Sequence, residues 1–145
     1  MSRGTRVASH RGVADAKDAR TVLVAEEDGW LRPLVAELLS DEGYRTVEAD
    51  SGACVVPLAE AHQPDAIVLD LALPQKPGSR VLRELRSGDA TRAIPVILVS
   101  GETEEGPRQL FSQASVSGMP TLPKPLDIGA LLAAIKHVIA DRAAA

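Results

Sequence analysis

Residues 65–74 read DAIVLDLALP, and this stretch sets the fold class. Four consecutive apolar residues, 66–69, lead directly into Asp70 without any alternation of polar and apolar side chains. Such a run is typical of a strand that is buried on both faces, as in a parallel sheet covered by helices. The stretch therefore predicts an interior parallel strand that ends on a carboxylate.

Further short apolar runs flank this strand, and helical patterns separate them. The other predicted strands cover residues 21–25, 44–49, 94–99 and, more weakly, 119–123. Strands that alternate with helices at this spacing predict an α/β protein. Its sheet is doubly wound, parallel and five-stranded, with helices on both faces.

The helices are predicted from apolar residues at helical spacing and from the residues that end or cap them. Gly43 is suited to end the first helix, Ser51 or Asp50 to cap the second, and Asp127 to cap the last. Between residues 102 and 118 the pattern is weak, because Gly106-Pro107 would delay the start of any helix. The predicted helices cover residues 30–42, 52–61, 78–86 and 128 onward.

Length and charge limit the organisation of the chain. The 145 residues suit one domain of ordinary size. Residues 1–20 carry five basic and two acidic side chains, whereas the remaining 125 carry 11 basic and 18 acidic ones. We expect a flexible basic tail over 1–20, a domain over 21–142 and a short tail over 143–145, with no room for an output domain. An acidic body argues against direct DNA binding.

Several classes of protein are excluded by what the sequence lacks. A lone cysteine, Cys54, rules out a disulfide framework and a cysteine-based zinc site, and we expect it to be a small buried side chain. No apolar run approaches the length of a membrane span, and residues 1–20 contain no secretory signal pattern. We expect a cytoplasmic protein in which Trp30 packs against its neighbours and the three histidines, His10, His62 and His137, are exposed.

Polar side chains follow the predicted strands where parallel strands bind ligands, at their carboxyl ends. Glu26 and Glu27 follow the first strand, Asp70 ends the third, Ser100 ends the fourth and Lys124 follows the fifth. Crowded carboxylates disfavour one another's ionised forms, and a hard divalent cation relieves this repulsion. An ammonium and a hydroxyl nearby would stabilise a phosphoryl group in transfer. A free carboxylate could attack phosphorus and form an acyl phosphate.

Four motifs together resemble one family. The runs VLVAEED at 22–28, DAIVLDLALP at 65–74, IPVILVSG at 94–101 and LPKP at 122–125 are similar to the receiver domain of bacterial two-component response regulators. The resemblance extends over residues 21–142 in the usual order and spacing. It implies a flavodoxin-like (receiver) fold.

The resemblance also implies a role for each residue at the strand ends. Asp70 would be the phosphoacceptor, with Ser100 and Lys124 as its hydroxyl and cationic partners. Mg²⁺ or Mn²⁺ would be held by Glu26, Glu27, Asp70 and the backbone carbonyl of Ala72. A cis peptide is expected at Lys124-Pro125, since X-Pro bonds tolerate this form.

As a member of this family the chain would be a stand-alone signalling protein rather than an enzyme, with at most self-phosphorylation and self-dephosphorylation chemistry. A sensor histidine kinase or a histidine phosphotransfer protein would donate the phosphoryl group. Output would pass through contact with a downstream protein.

Three departures from the family pattern leave an alternative open. Glu27 stands where an aspartate is usual, Thr121 stands where a tyrosine or phenylalanine is usual, and Gly106-Pro107 interrupts the segment after Ser100. The alternative is a degenerate receiver that acts as a phosphorylation-independent interaction module. A phosphatase with an aspartate nucleophile ranks last, because such enzymes carry a second acid two residues later, where this chain has Ala72.

Overall fold

The predicted strands join one sheet in the computed structural model, which describes residues 7–8, 19–101 and 119–144. The sheet order is β1-β3-β2-β4-β5-β6, and the last five of these strands are parallel to one another. This arrangement confirms the doubly wound parallel sheet. The strands are β1 (Val7–Ala8), β2 (Thr21–Ala25), β3 (Arg45–Ala49), β4 (Ala66–Asp70), β5 (Val96–Ser100) and β6 (Thr121–Pro123).

The described helices lie close to the bounds expected from the sequence. Gly43 follows α1 with a φ of 100°, the left-handed conformation that glycine adopts without strain. Asp127 caps α4, because its Oδ1 accepts a hydrogen bond from the Ala130 N–H at 3.1 Å. Ser51 occupies the N-cap position of α2, but its hydroxyl donates to Cys54 Sγ instead of capping the backbone. The helices are α1 (Leu31–Asp41), α2 (Gly52–His62), α3 (Gly78–Ser87) and α4 (Ile128–Ala144).

Two apolar clusters cover the two faces of the sheet. Alternate strand residues face opposite sides, so Leu23 belongs to one cluster while Val22 and Val24 belong to the other. The first cluster is completed by α2 and α3, and the second by α1 and α4. Because every central strand is covered on both sides, its sequence is continuously apolar.

The sheet has one strand that the sequence analysis missed. Val7–Ala8 pairs antiparallel with β3, with Val7 opposite Val47 and Ala8 opposite Thr46. These two residues lie in the stretch expected to be a flexible tail, and two residues are too few to show a periodic pattern. They add a short sixth strand at the edge of the sheet. The rest of that stretch up to residue 18, including His10, lies outside the described residues, as does the weak region 102–118.

The expected packing role of Trp30 is wrong, because its side chain is 74% exposed. It stands one residue before α1, and Leu31 takes the position that packs against the apolar cluster. Cys54 is only partly buried, whereas His62 and His137 are exposed as expected. None of the described helices has the length and apolar character needed to cross a bilayer.

Candidate functional site

Asp70 is the last residue of β4, an interior strand between β2 and β5. Its side chain is almost fully buried, with 1% of the residue exposed. Since parallel strands bring their carboxyl ends to one edge, the segments that follow β2, β5 and β6 meet beside it. The structure therefore places Asp70 where the sequence predicts the site.

Both carboxylate oxygens of Asp70 are hydrogen-bonded. Oδ2 accepts a hydrogen bond from Lys124 Nζ at 2.7 Å, and Oδ1 accepts one from the Ala72 N–H at 2.9 Å. The Lys124 N–H in turn donates to the Ser100 carbonyl at 3.0 Å, and the Lys124-Pro125 peptide is cis as expected. Charge-assisted hydrogen bonds of this length are among the stronger ones in proteins, so the aspartate and the lysine are held together.

Glu26 joins the same ion-pair cluster from the end of β2. Its Oε1 lies 3.2 Å from Lys124 Nζ, and its Oε2 accepts a hydrogen bond from the Asp28 N–H at 3.1 Å. Burial and the nearby carboxyl of Asp70 raise the pKa of Glu26, while the Asp28 N–H and the Lys124 charge oppose that shift. Burial lowers the pKa of Lys124, but the contacts with Asp70 and Glu26 outweigh it and raise that pKa overall. One ammonium thus contacts two buried acids, and its single positive charge offsets only one of two negative charges.

The residues proposed for the metal are brought together only in part. The Glu27 side chain is exposed, and the ion pairs that link Lys124 to Glu26 and Asp70 do not include it. Across residues 7–8, 19–101 and 119–144, no three His, Cys, Asp or Glu side chains are placed to hold a metal ion. Mg²⁺ needs only one or two carboxylates, with waters and a backbone oxygen completing its shell. The donor chemistry of Glu26 and Asp70 fits such an ion.

Ser100 ends β5 at the same edge of the sheet. The register pairs Asp70 with Val99 and Ser100 with Pro123, so β5 lies between β4, which ends on Asp70, and β6, which Lys124 follows. The residue is 8% exposed, and its hydroxyl donates to the Gly101 carbonyl at 3.2 Å. Its hydrogen bond is therefore made within its own segment and not to Asp70.

Sequence reasoning missed a buried ion pair beside the acidic segment. Arg32 Nη1 donates to the carbonyls of Glu26 at 3.0 Å and Glu27 at 3.4 Å, and Arg32 Nε donates to Glu48 Oε1 at 3.3 Å. Glu48 lies within β3 and is 4% exposed. A charged residue inside a buried strand is a signal of a paired charge, because an unpaired one is too costly to bury.

Gly78, the first residue of α3, was also missed as a site residue. A Cβ atom at this position would lie 2.6 Å from Leu71 Cα and 2.8 Å from the Asp70 carbonyl oxygen. The Gly78 N–H donates to the Leu71 carbonyl at 3.0 Å. The start of α3 therefore lies directly against the chain that leaves Asp70, and only glycine allows this approach.

A receiver fold with an Asp-Lys pair at its carboxyl edge defines the class of this protein, and comparison with known proteins agrees. Residues 22–136 match the model of the response regulator receiver domain, so the chain belongs to this family. It is thus a receiver domain of two-component signalling.

Two relatives in sequence are themselves regulators. The transcriptional regulatory protein PdtaR of Mycobacterium tuberculosis is 35% identical over 128 residues, which are 87% of this chain and 60% of PdtaR. This chain therefore spans about three fifths of that relative's length. The polar-differentiation response regulator DivK of Brucella anthropi is 28% identical over 84% of this chain and 98% of DivK.

Solved structures show the same fold. The receiver domain of the sensor histidine kinase PA1611 from Pseudomonas aeruginosa PAO1 has a TM-score of 0.74 and 26% identity, covering 84% of this chain and 98% of that one. That structure is described with a magnesium ion coordinated in its active-site cleft. A CheY-like receiver domain protein from Methanospirillum hungatei JF-1 has a TM-score of 0.76 at 20% identity, covering 86% of this chain and 97% of that one. This similarity shows that the two chains share a fold.

Proposed function

We propose that Asp70 accepts a phosphoryl group from a histidine kinase or a histidine phosphotransfer protein, and that this reaction switches the chain between two signalling states. The observation that carries the proposal is the 2.7 Å contact between Asp70 Oδ2 and Lys124 Nζ at the carboxyl edge of the sheet. A carboxylate nucleophile and a fixed cation are two of the groups that transfer to an acyl phosphate uses.

The transfer itself needs few groups. An oxygen of Asp70 attacks the phosphorus of a donor phosphohistidine, the new O–P bond forms, and the P–N bond breaks. The imidazole nitrogen keeps the electron pair of the broken bond and takes a proton from water. Lys124 places positive charge beside the phosphoryl oxygens, and its raised pKa keeps it protonated at neutral pH.

Glu26, Glu27, Asp70 and the carbonyl of Ala72 are the groups that would hold Mg²⁺ or Mn²⁺. When bound, such an ion supplies further positive charge to the phosphoryl oxygens. The buried carboxylates of Glu26 and Asp70 support this assignment, since both lie within 3.2 Å of one cation already, Lys124 Nζ. The exposed side chain of Glu27 would join them from the solvent side.

Ser100 is proposed as the residue that reports phosphorylation. Its hydroxyl bonds only to the neighbouring Gly101 carbonyl among the contacts of the described residues, an interaction that a phosphoryl oxygen could replace. The change would pass from β5 to the adjoining surface, where a downstream protein would bind.

A second candidate is a receiver that binds partners without being phosphorylated. It is favoured by the 1% exposure of Asp70, whose two oxygens already have partners, and by the exposed position of Glu27. Phosphorylation requires a donor to reach a carboxylate that is covered in this state. The two candidates therefore differ in whether Asp70 reacts at all.

Mass spectrometry distinguishes a receiver that is phosphorylated on Asp70 from one that is not. The chain is incubated with acetyl phosphate and Mg²⁺ and compared with the Asp70→Asn variant, with exposed Asp89→Asn as the matched control. We expect one phosphoryl group on the wild type and on Asp89→Asn, and none on Asp70→Asn. An unmodified wild type would contradict the first candidate and favour the phosphorylation-independent one.

A further inference from the structure

Arg32 lies in the first turn of α1 with only 15% of its side chain exposed, and it joins two parts of the sheet edge. One part is the segment after β2, whose Glu26 and Glu27 carbonyls accept hydrogen bonds from Arg32 Nη1. The other is Glu48 on β3, whose carboxylate accepts a hydrogen bond from Arg32 Nε. A planar guanidinium can donate to the two carbonyls and to the Glu48 carboxylate at the same time. A lysine ammonium does not reproduce this geometry.

Glu26 is consequently fixed on both sides of its α-carbon. Its N–H donates to the Ala49 carbonyl of β3 at 3.0 Å, and its carbonyl is held by Arg32 at 3.0 Å. Glu48 is the residue before Ala49, so both attachments lead to the same short stretch of β3. From this backbone, held at two points, the Glu26 side chain reaches Lys124 Nζ at 3.2 Å.

We propose that Arg32 is a positioning residue for the acidic pair: anchored by Glu48, it sets the geometry with which Glu26 and Glu27 present their carboxylates to a divalent cation. This inference rests on the proposed function. Groups that orient metal ligands typically contribute 10- to 100-fold to metal affinity, although they do not touch the metal. Arg32 itself touches neither Asp70 nor Lys124 in the contacts of the described residues.

The test is Mn²⁺ binding by the unphosphorylated chain, measured by titration calorimetry. The variants are Arg32→Gln, Arg32→Lys and Glu48→Gln. Arg80→Gln is the matched control, because Arg80 also lies in the first turn of a helix and pairs with a glutamate, but on α3. We expect a Kd for Mn²⁺ that is about 10-fold higher in Arg32→Gln. The rise should be smaller in Glu48→Gln, which keeps the carbonyl contacts, and Arg80→Gln should be unchanged.

A metal-free readout separates positioning from a general loss of stability. Hydrogen exchange of the Glu26 and Asp28 amides, whose partners are the Ala49 carbonyl and Glu26 Oε2, should become faster in Arg32→Gln. The Leu98 amide, bonded to the Pro120 carbonyl, should exchange as in the wild type. If Arg32→Gln does not fold, the Kd for Mn²⁺ and the amide exchange rates of Arg32→Lys and Glu48→Gln are compared with those of the wild type instead.

Two results would overturn the inference. If folded Arg32 variants bind Mn²⁺ with the wild-type Kd while the wild type is phosphorylated on Asp70, the positioning role is wrong and the proposed function stands. If the wild type neither binds Mn²⁺ nor accepts a phosphoryl group, both are wrong.

Discussion

The ends of β4 and β2 carry the two acidic parts of the site, and they are built differently. Asp70 belongs to the strand itself, is 1% exposed, and is followed by a chain that lies against Gly78 with no room for a methyl group. Glu26 and Glu27 follow β2 on a segment held by polar contacts to Arg32 and Ala49. The position of Asp70 is therefore set by close packing, and that of Glu26 and Glu27 by hydrogen bonds. Close packing leaves little freedom, because a protein interior has few voids into which atoms can move.

Lys124 contacts both Asp70 at the end of β4 and Glu26 after β2. Of the changes considered, removal of its charge should have the largest effect, which is on the rate of Asp70 phosphorylation. We expect Lys124→Gln to slow phosphorylation of Asp70 by acetyl phosphate about 100-fold, the usual effect of deleting one fixed group that stabilises transition-state charge. The initial rate is measured by mass spectrometry at saturating Mg²⁺. Lys136→Gln is the control, since Lys136 forms an exposed ion pair with Glu42 at 3.9 Å. Equal rates for the two variants would mean that Lys124 has no part in the transfer.

The same substitution at each end compares their packing directly. Gly78→Ala should lower the free energy of unfolding by about 1–3 kcal/mol, because the added methyl group meets backbone atoms that cannot move cheaply. Gly29→Ala, in the segment after β2, should change it by less than about 0.5 kcal/mol, because a Cβ there has nothing within 4 Å. Urea denaturation of both variants measures the difference. A Gly78→Ala variant as stable as Gly29→Ala would contradict the account of the β4 end.

The smallest expected effect is the contribution of Glu26 to the pH dependence of the free energy of unfolding. Because the pKa of Glu26 is raised in the folded state, that state keeps a proton that the unfolded chain releases above the ordinary value of 4.5. In a metal-free buffer this residue therefore lowers the free energy of unfolding as pH rises from 4.5 to its folded pKa, by at most about 1.4 kcal/mol per pH unit.

Glu26→Gln isolates this contribution. The stability of the variant relative to the wild type should increase over that pH window and stay constant above it. Urea denaturation between pH 4.5 and 8 measures the difference, with the exposed Glu37→Gln as the control. A difference between Glu26→Gln and wild type that does not change with pH would show that the Glu26 carboxyl is not buried against Asp70.

Much of the fold could be predicted, because its signals are local. Apolar runs identified β2, β4 and β5, whereas β3 and β6 were predicted from weaker patterns. Gly43 follows the end of α1 and Asp127 caps α4, and both signals depend only on residues nearby in the chain. Trp30 was misjudged because the apolar spacing did not show that the helix begins one residue later. The two-residue strand β1 was missed because its pairing partner lies in β3, about forty residues away in the chain.

For the site, residue types and their places after each strand were readable from the sequence, because parallel strands bring their carboxyl ends together. The contacts among them were not. That Lys124 reaches Asp70 across 54 residues of chain, that Glu26 is buried while its neighbour Glu27 is exposed, and that Arg32 pairs with Glu48 are consequences of how distant segments pack. Such distances depend on the whole folded chain, since no local pattern specifies which charged groups will share a buried space.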